Sequence, residues 1–168
     1  MGFEDVEINV SEETINGNDI DAIIEPLWWN VNIYDGEKEY KDDLKKFTLP
    51  QIYTFAIEWY LAEVNNGGHD QFFSNSTGIV WEEALNGFKA IGIEDYYTIL
   101  LEAVNRLGGK PNMDREKRQD QLVEYNADFE DLDHRIYQSE SHIEEKILSY
   151  IRENQKEFLF KGIVHKPK

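Results

Sequence analysis

Apolar residues recur at helical spacing along most of this chain, and this periodicity limits the fold more than any other feature. Thr48 is a predicted helix N-cap with Pro50 in the first turn. Three predicted helices end at glycines: at the pair 67–68, at Gly92 and at the pair 108–109. In the first of these helices the apolar stripe consists of Ile52, Phe55, Ala56, Trp59, Tyr60 and Val64. The pattern predicts a series of helices joined by tight turns.

The flanking segments also favour helix. Further helices are predicted near residues 19–28, 37–46, 80–91, 94–107, 114–125, 128–138 and 142–158. Pro26 kinks or ends the first of them, because proline lacks the backbone donor that a helix interior needs. The segment Val6–Val10 alternates like a strand, but it is short and has no evident partner.

We therefore predict an all-α protein, a single compact multi-helix domain with an acidic N-terminal extension. Residues 1–47 form this extension and short helices packed on the core, residues 48–160 form the helical domain, and residues 161–168 form a C-terminal tail. The length of 168 residues suits one domain.

The charge balance restricts the partners. The chain holds 34 acids and 17 bases, which gives a formal net charge of −17, and residues 110–168 contribute only −2 of it. Such a surface repels nucleic acid and anionic membranes and attracts basic proteins. We therefore expect no direct nucleic-acid binding, no membrane and a basic protein partner. The acidic N-terminus has no basic region typical of a signal peptide, so a cytoplasmic location is expected.

No motif for catalysis or metal binding is recognisable. The chain has no cysteine, which excludes disulfides and thiol chemistry. The acidic segment at residues 128–133 lacks the glycine and the final glutamate of a calcium loop. The histidines do not stand at metal-motif spacing; they are His69, His134, His142 and His165. We expect no enzymatic activity, no cofactor and no metal.

One segment, at residues 63–78, is unusual for its small and amide-bearing residues. Its distinctive members are Asn65, Asn66, Gly67, Gly68, Gln71, Phe72, Phe73, Asn75 and Gly78. One interpretation is architectural: a helical corner in which the amides cap helix ends and the phenylalanines enter the core. The other is a polar pocket beside an aromatic floor. In that case an enzyme would use the corner formed by Asn65, His69, Gln71 and Asn75, with His69 as the general base.

The same segment resembles the signature of the DNA-mimic-protein domain family. Weaker matches follow in order along the chain, so the resemblance covers about residues 48–160, and residues 1–47 lie outside it. His69 stands where an apolar residue is expected. The resemblance implies an all-helical acidic fold without a catalytic centre. It also implies dimers whose carboxylates imitate the phosphates of duplex DNA and occupy a DNA-binding transcription factor.

Mimicry of duplex DNA requires rows of carboxylates, because DNA carries one charge for about every 1.7 Å of its axis. The candidate surface acids are Glu4, Asp5, Glu7, Glu12, Glu13, Asp19, Asp21, Glu25, Glu82 and Glu83. A DNA-binding transcription factor or a nucleoid protein is the corresponding partner. If only one ring of the Trp28–Trp29 pair fits the core, the other suits the interface of a homodimer. The alternative function is an immunity protein that neutralises a cognate bacterial toxin, since a basic nuclease would need a similar surface.

Overall fold

A computed structural model describes residues 2–168 of the chain. Its two strands are β1 (Phe3–Val10) and β2 (Phe160–Pro167). The helices before the centre of the chain are α1 (Glu12–Asn16), α2 (Ile20–Ile23), α3 (Glu25–Asn30), α4 (Glu37–Leu44) and α5 (Leu49–Ser74). A 3₁₀ turn (Ser76–Val80) leads to α6 (Trp81–Ile91), α7 (Glu94–Arg106), α8 (Arg115–Glu124), α9 (Glu130–Tyr137), α10 (Ile143–Glu153) and α11 (Gln155–Phe158).

The long helix α5 lies at the centre of the fold. Thr48 caps its N-terminus as predicted, and the backbone N–H of Thr48 donates to Oε1 of Gln51 over 2.9 Å. The helix packs against α6, the 3₁₀ turn, α8 and α9. Its rings Phe55, Tyr60 and Phe72 are buried in the common core. The predicted helical stripe is therefore confirmed as the central core element.

Two predicted helices are each divided in two. The helix expected at residues 19–28 becomes α2 and α3, with Pro26 in the first turn of α3, where its missing N–H is not needed. The helix expected at residues 142–158 ends at Asn154, whose backbone (φ −117°, ψ 30°) leaves the helical region before α11 begins.

The all-α prediction is wrong at the two ends of the described chain. β1 pairs with β2 as an antiparallel two-stranded sheet, with Phe3 opposite Pro167 and Val10 opposite Phe160. Residues 161–167, expected to be a tail, thus supply the partner that the short alternating segment lacked. Ile8 and Val164 are buried and face the core, which fixes which side of this ribbon points inward.

The short N-terminal helices contribute apolar side chains to the core. Ile15, Ile23, Ile24 and Leu27 are each at most 1% exposed, and they belong to the same apolar cluster as α5. Trp28 packs 5.0 Å from the ring centres of Phe55 and Trp59. Trp29 keeps 40% of its surface exposed. Within residues 2–168 no helix combines the length and apolar character needed to cross a membrane.

Candidate functional site: an acidic cleft

The acids of β1 face basic side chains of β2, because the register places the two charge types side by side. An ion pair joins Glu7 to Lys161 (3.6 Å), and Glu25 of α3 pairs with Lys166. Asp5 Oδ1 lies 2.9 Å from Nδ1 of His165, and Glu4 lies opposite Lys166 in the ladder. The ribbon therefore presents mixed charge rather than the uninterrupted carboxylate row expected from the sequence.

The expectation that Glu83 extends a surface row is wrong. Glu83 is only 9% exposed, and its carboxylate accepts hydrogen bonds from Tyr40 Oη (3.0 Å) and Lys41 Nζ (2.5 Å). A charged side chain tolerates such burial when a cation and a hydroxyl compensate it. Glu82 remains exposed, although Lys41 Nζ lies 4.0 Å from its carboxylate. The hydrogen bonds of Tyr40 and Lys41 to Glu83 thus join α4 to α6.

Besides Glu4 on β1, four of the predicted acids are exposed and have no ion-pair partner among residues 2–168. They are Glu12 and Glu13 in the first turn of α1, and Asp19 and Asp21 at the start of α2. Asp19 also caps α2, since its Oδ1 accepts a hydrogen bond from the backbone of Ala22 over 3.2 Å. These acids carry uncompensated charge at the surface.

Asp19 and Asp21 line a cleft of about 520 Å³ between α2, α5 and α10. Glu58 of α5 and Glu144 of α10 line the same cleft, so four carboxylates meet there. The apolar part of the lining consists of Ile20, Leu61, Ile143 and Ile147. No lysine, arginine or histidine lines it. We call this site the acidic cleft.

Glu58 is the most perturbed carboxyl group of the acidic cleft. Burial raises its pKa to about 7, and the neighbouring charges of Asp21 and Glu144 act in the same direction. The side chain of Glu58 makes no hydrogen bond or ion pair with any residue between 2 and 168. A cation entering the cleft would stabilise the ionised form of Glu58, so its binding would be accompanied by proton release near neutral pH.

Sequence reasoning missed half of this site. It selected Asp19 and Asp21, but Glu58 and Glu144 come from helices far along the chain. One signal was available: Glu58 is the only charged residue between positions 47 and 62. Within residues 2–168, no three His, Cys, Asp or Glu side chains are grouped so that they could hold a metal ion.

The unusual segment forms a kink in α5. Gly67 (φ −149°, ψ 21°) and Gly68 (φ 72°, ψ −173°) leave the helical region, and the helix resumes after them rather than ending as predicted. The positive φ of Gly68 is a backbone conformation that favours glycine. A β-carbon at Gly68 would collide with the carboxylate of Asp133, and one at Gly67 would collide with Gln71.

The amides of this segment bridge the two sides of the kink. Gln71 Nε2 and Asn75 Nδ2 donate to Glu63 Oε2 over 2.6 and 3.1 Å, and Asn66 Nδ2 donates to Gln71 Oε1 over 3.0 Å. Asn65 points to a different region, since it lines the acidic cleft. The arrangement resembles the architectural interpretation, in which the amides satisfy groups that a kink leaves open.

His69 lies inside the core beside the kink. Its Nε2 is 2.8 Å from Tyr60 Oη, and its Nδ1 is 2.5 Å from Asp133 Oδ1. The ring is fully buried, as are Phe72 and Phe73. Both ring nitrogens are thus occupied by protein groups, and the polar corner does not present His69 to a substrate.

Arg118 is a buried cation of α8, a helix with many charged residues. It donates to the backbone carbonyls of Phe73 (2.7 Å), Asn75 (2.6 Å) and Asn112 (2.7 Å). Burial lowers its pKa to about 10, which still leaves it protonated at neutral pH. Gly78 makes room for this guanidinium, because a β-carbon there would meet it. Arg118 therefore holds α8 against the end of α5.

Comparison with known families gives one match. A family model described as DMP19-like protein matches residues 45–154, which span α5 to α10. No curated protein and no solved structure matches the chain. The matched region contains the kink segment and two acids of the acidic cleft, Glu58 and Glu144, whereas Asp19 and Asp21 precede it.

Proposed function

The chain belongs to the DMP19-like protein family, and we propose on this basis that it is a non-enzymatic, cytoplasmic interaction module that imitates duplex DNA. Its partner would be a basic DNA-binding protein, such as a transcription factor or a nucleoid protein. The formal net charge of −17 supports a partner of that sign.

The acidic cleft supports the proposal most directly, because it indicates which residues would contact the partner. It gathers Asp19, Asp21, Glu58 and Glu144 without a basic side chain in its lining. On the ribbon of β1 and β2, by contrast, lysine side chains lie beside the acids. A cationic side chain of a partner meets uncompensated carboxylates here, with apolar surface for its alkyl stem.

The acidic surface extends beyond the acidic cleft. α1 packs against α2 and exposes Glu12 and Glu13 in its first turn. A partner that spans both helices would contact carboxylates from α1, α2 and α10. Since charge pairing at a wet surface is screened by salt, the affinity should fall steeply as ionic strength rises.

The first experiment is capture of partners from host lysate on the immobilised protein, followed by elution with duplex DNA. Release of a basic DNA-binding protein supports mimicry, because DNA and this protein then compete for one surface. A partner that DNA does not release, and that is encoded beside this protein as a toxin, overturns mimicry in favour of an immunity function.

The second experiment compares two variants of equal net charge. Asp21→Asn with Glu144→Gln removes two charges from the acidic cleft, and Glu4→Gln with Glu7→Gln removes two from the ribbon. We expect the cleft variant to weaken binding of the captured partner by about tenfold or more, which corresponds to about 1.4 kcal/mol. The ribbon variant should bind nearly as the unmodified protein does. Equal losses would mean that overall charge alone attracts the partner.

A further inference from the structure

A second cavity lies on another part of the surface, beneath the loop that joins α3 and α4. It has two lobes, of about 250 and 610 Å³, and both are lined by Ile33, Tyr34, Ser76 and Arg115. The larger lobe falls within the roughly 300–1,000 Å³ that is typical of ligand pockets. Tyr34 is 73% exposed where the lobes meet.

The smaller lobe contains polar groups that the protein does not satisfy. Thr77 lines it and is only 4% exposed, yet its Oγ1 has no hydrogen-bond partner among residues 2–168. Trp59 also lines this lobe, and its buried Nε1 is likewise unpaired. Buried donors are hydrogen-bonded in most proteins, and an acceptor group of a ligand in this lobe would satisfy these two.

Two opposite charges line the same lobe. Arg115 is held in place because its Nε donates to the carbonyl of Ser74 over 2.9 Å, and its two terminal nitrogens make no bond with residues 2–168. Glu63 is held by Gln71 and Asn75 through Oε2, which leaves Oε1 without a partner in the same part of the chain. The smaller lobe therefore offers donors for an anion and an acceptor for a cation.

The larger lobe adds apolar surface and further acids. Asp35, Asp114 and Glu116 line it, together with the apolar side chains of Ile79 and Met113. Arg118 also lines this lobe, but backbone carbonyls already occupy its guanidinium. The side chain that fits here is long and ends in a positive charge.

We propose that this cavity binds a free α-amino acid with a cationic side chain. The carboxylate would accept hydrogen bonds from Arg115, Thr77 and Trp59, and the α-ammonium group would bind Glu63. The side chain would extend past Tyr34 into the larger lobe. This site is separate from the acidic cleft, so it does not depend on the proposed DNA mimicry.

The test is calorimetric titration of the full chain with L-lysine and L-arginine at fixed ionic strength. We expect a dissociation constant of about 1 mM or tighter for at least one of them. L-glutamate should not bind, because its side chain meets like charges. 1,5-Diaminopentane, which lacks the carboxylate, should bind at least about tenfold more weakly, since one charge-assisted interaction is lost.

Variants identify the site. Arg115→Gln should weaken binding by about tenfold or more, and Thr77→Val by about two- to tenfold, according to the charge of the bond removed. Lys117→Gln is the matched control, because Lys117 is exposed on the same helix and lines neither lobe. The proposal is overturned if no amino acid binds, which would leave the cavity to water. It is also overturned if the diamine binds equally well, or if the Arg115 and Lys117 variants behave alike.

Discussion

Asp133 accepts two interactions from His69 with one carboxylate oxygen: the backbone N–H of His69 donates over 2.9 Å, and Nδ1 of its ring lies 2.5 Å away. The backbone bond forms only because Gly68 turns the chain out of the helix just before it. This relationship ties α9 to the kink of α5, and it can be tested from both sides, at Asp133 and at Gly68.

Replacing Asp133 should loosen α9 from the core. Asp133→Ala leaves the buried ring and N–H of His69 without their acceptor, and we expect a loss of about 2–3 kcal/mol in the free energy of unfolding, measured in urea. Asp133→Asn keeps one acceptor oxygen and should lose less. Glu130→Ala is the control on the same helix, because Glu130 is exposed. Equal effects at both positions would mean that the His69 contact does not stabilise the fold.

The kink should tolerate no side chain at Gly68. Gly68→Ala places a β-carbon against Asp133 and forces alanine into a backbone region that is almost confined to glycine, which alone costs about 1–3 kcal/mol. Gly92→Ala is the matched comparison, since Gly92 also has a positive φ (83°) but has open space around it. We expect about 1–2 kcal/mol there from the left-handed conformation alone. Urea unfolding of both variants measures the difference, and equal losses would mean that the close approach to Asp133 is not restrictive.

The acidic cleft should give the protein an unusual pH dependence. The pKa of Glu58 is raised from 4.5 to about 7 in the folded protein, so the folded state holds a proton that the unfolded state releases. The stabilisation from this group is complete below pH 4.5 and is lost as the pH rises to about 7. Glu58→Gln cannot ionise, so its stability relative to the unmodified protein should increase between pH 5 and 8.

Thermal unfolding of both proteins across that range gives the difference directly. Other carboxyl groups, such as Asp131 beside Arg106, have lowered pKa values and contribute in the opposite sense in both proteins. Their effect cancels in the comparison. A difference in melting temperature that does not change with pH would contradict the raised pKa of Glu58.

The two faces of β2 should differ in their contribution to stability. Val164 is 1% exposed and faces the core, whereas its neighbour Ile163 is 70% exposed. Val164→Ser should cost about 1.5–3 kcal/mol in unfolding free energy, the range for burying such a side chain. Ile163→Ser should leave stability nearly unchanged. The opposite order would mean that the register of β1 against β2 is shifted by one residue.

Local features of the fold were predictable from the sequence, and contacts between distant segments were not. The cap at Thr48 and the left-handed turn at Gly92 follow from short-range chemistry, and both are present. β2 was missed because its partner lies 150 or more residues away and because Gly162 and Pro167 weaken its strand pattern.

In the candidate site, too, local features were predictable and contacts between distant segments were not. Asp19 and Asp21 were selected because they are acids near a predicted helix start, and no local pattern links them to Glu58 or Glu144. Glu83 follows another acid and reads as solvated, but the packing of α4 on α6 buries it beside Tyr40. The environment of a side chain depends on tertiary contacts, so the sequence alone does not show which acids are exposed or lie close together.

The pairing of β1 with β2 also has a consequence for biosynthesis. Translation proceeds from the N-terminus, so β1 leaves the ribosome well before β2, the strand that pairs with it and that begins 150 residues after Val10. Until then Ile8 and Val10 lack their cover, and the backbone of β1 is an open edge of the kind that promotes aggregation. Nascent chains that stall before residue 160 should therefore depend on chaperones, and truncated products should be cleared by cellular proteases rather than accumulate as partly folded protein.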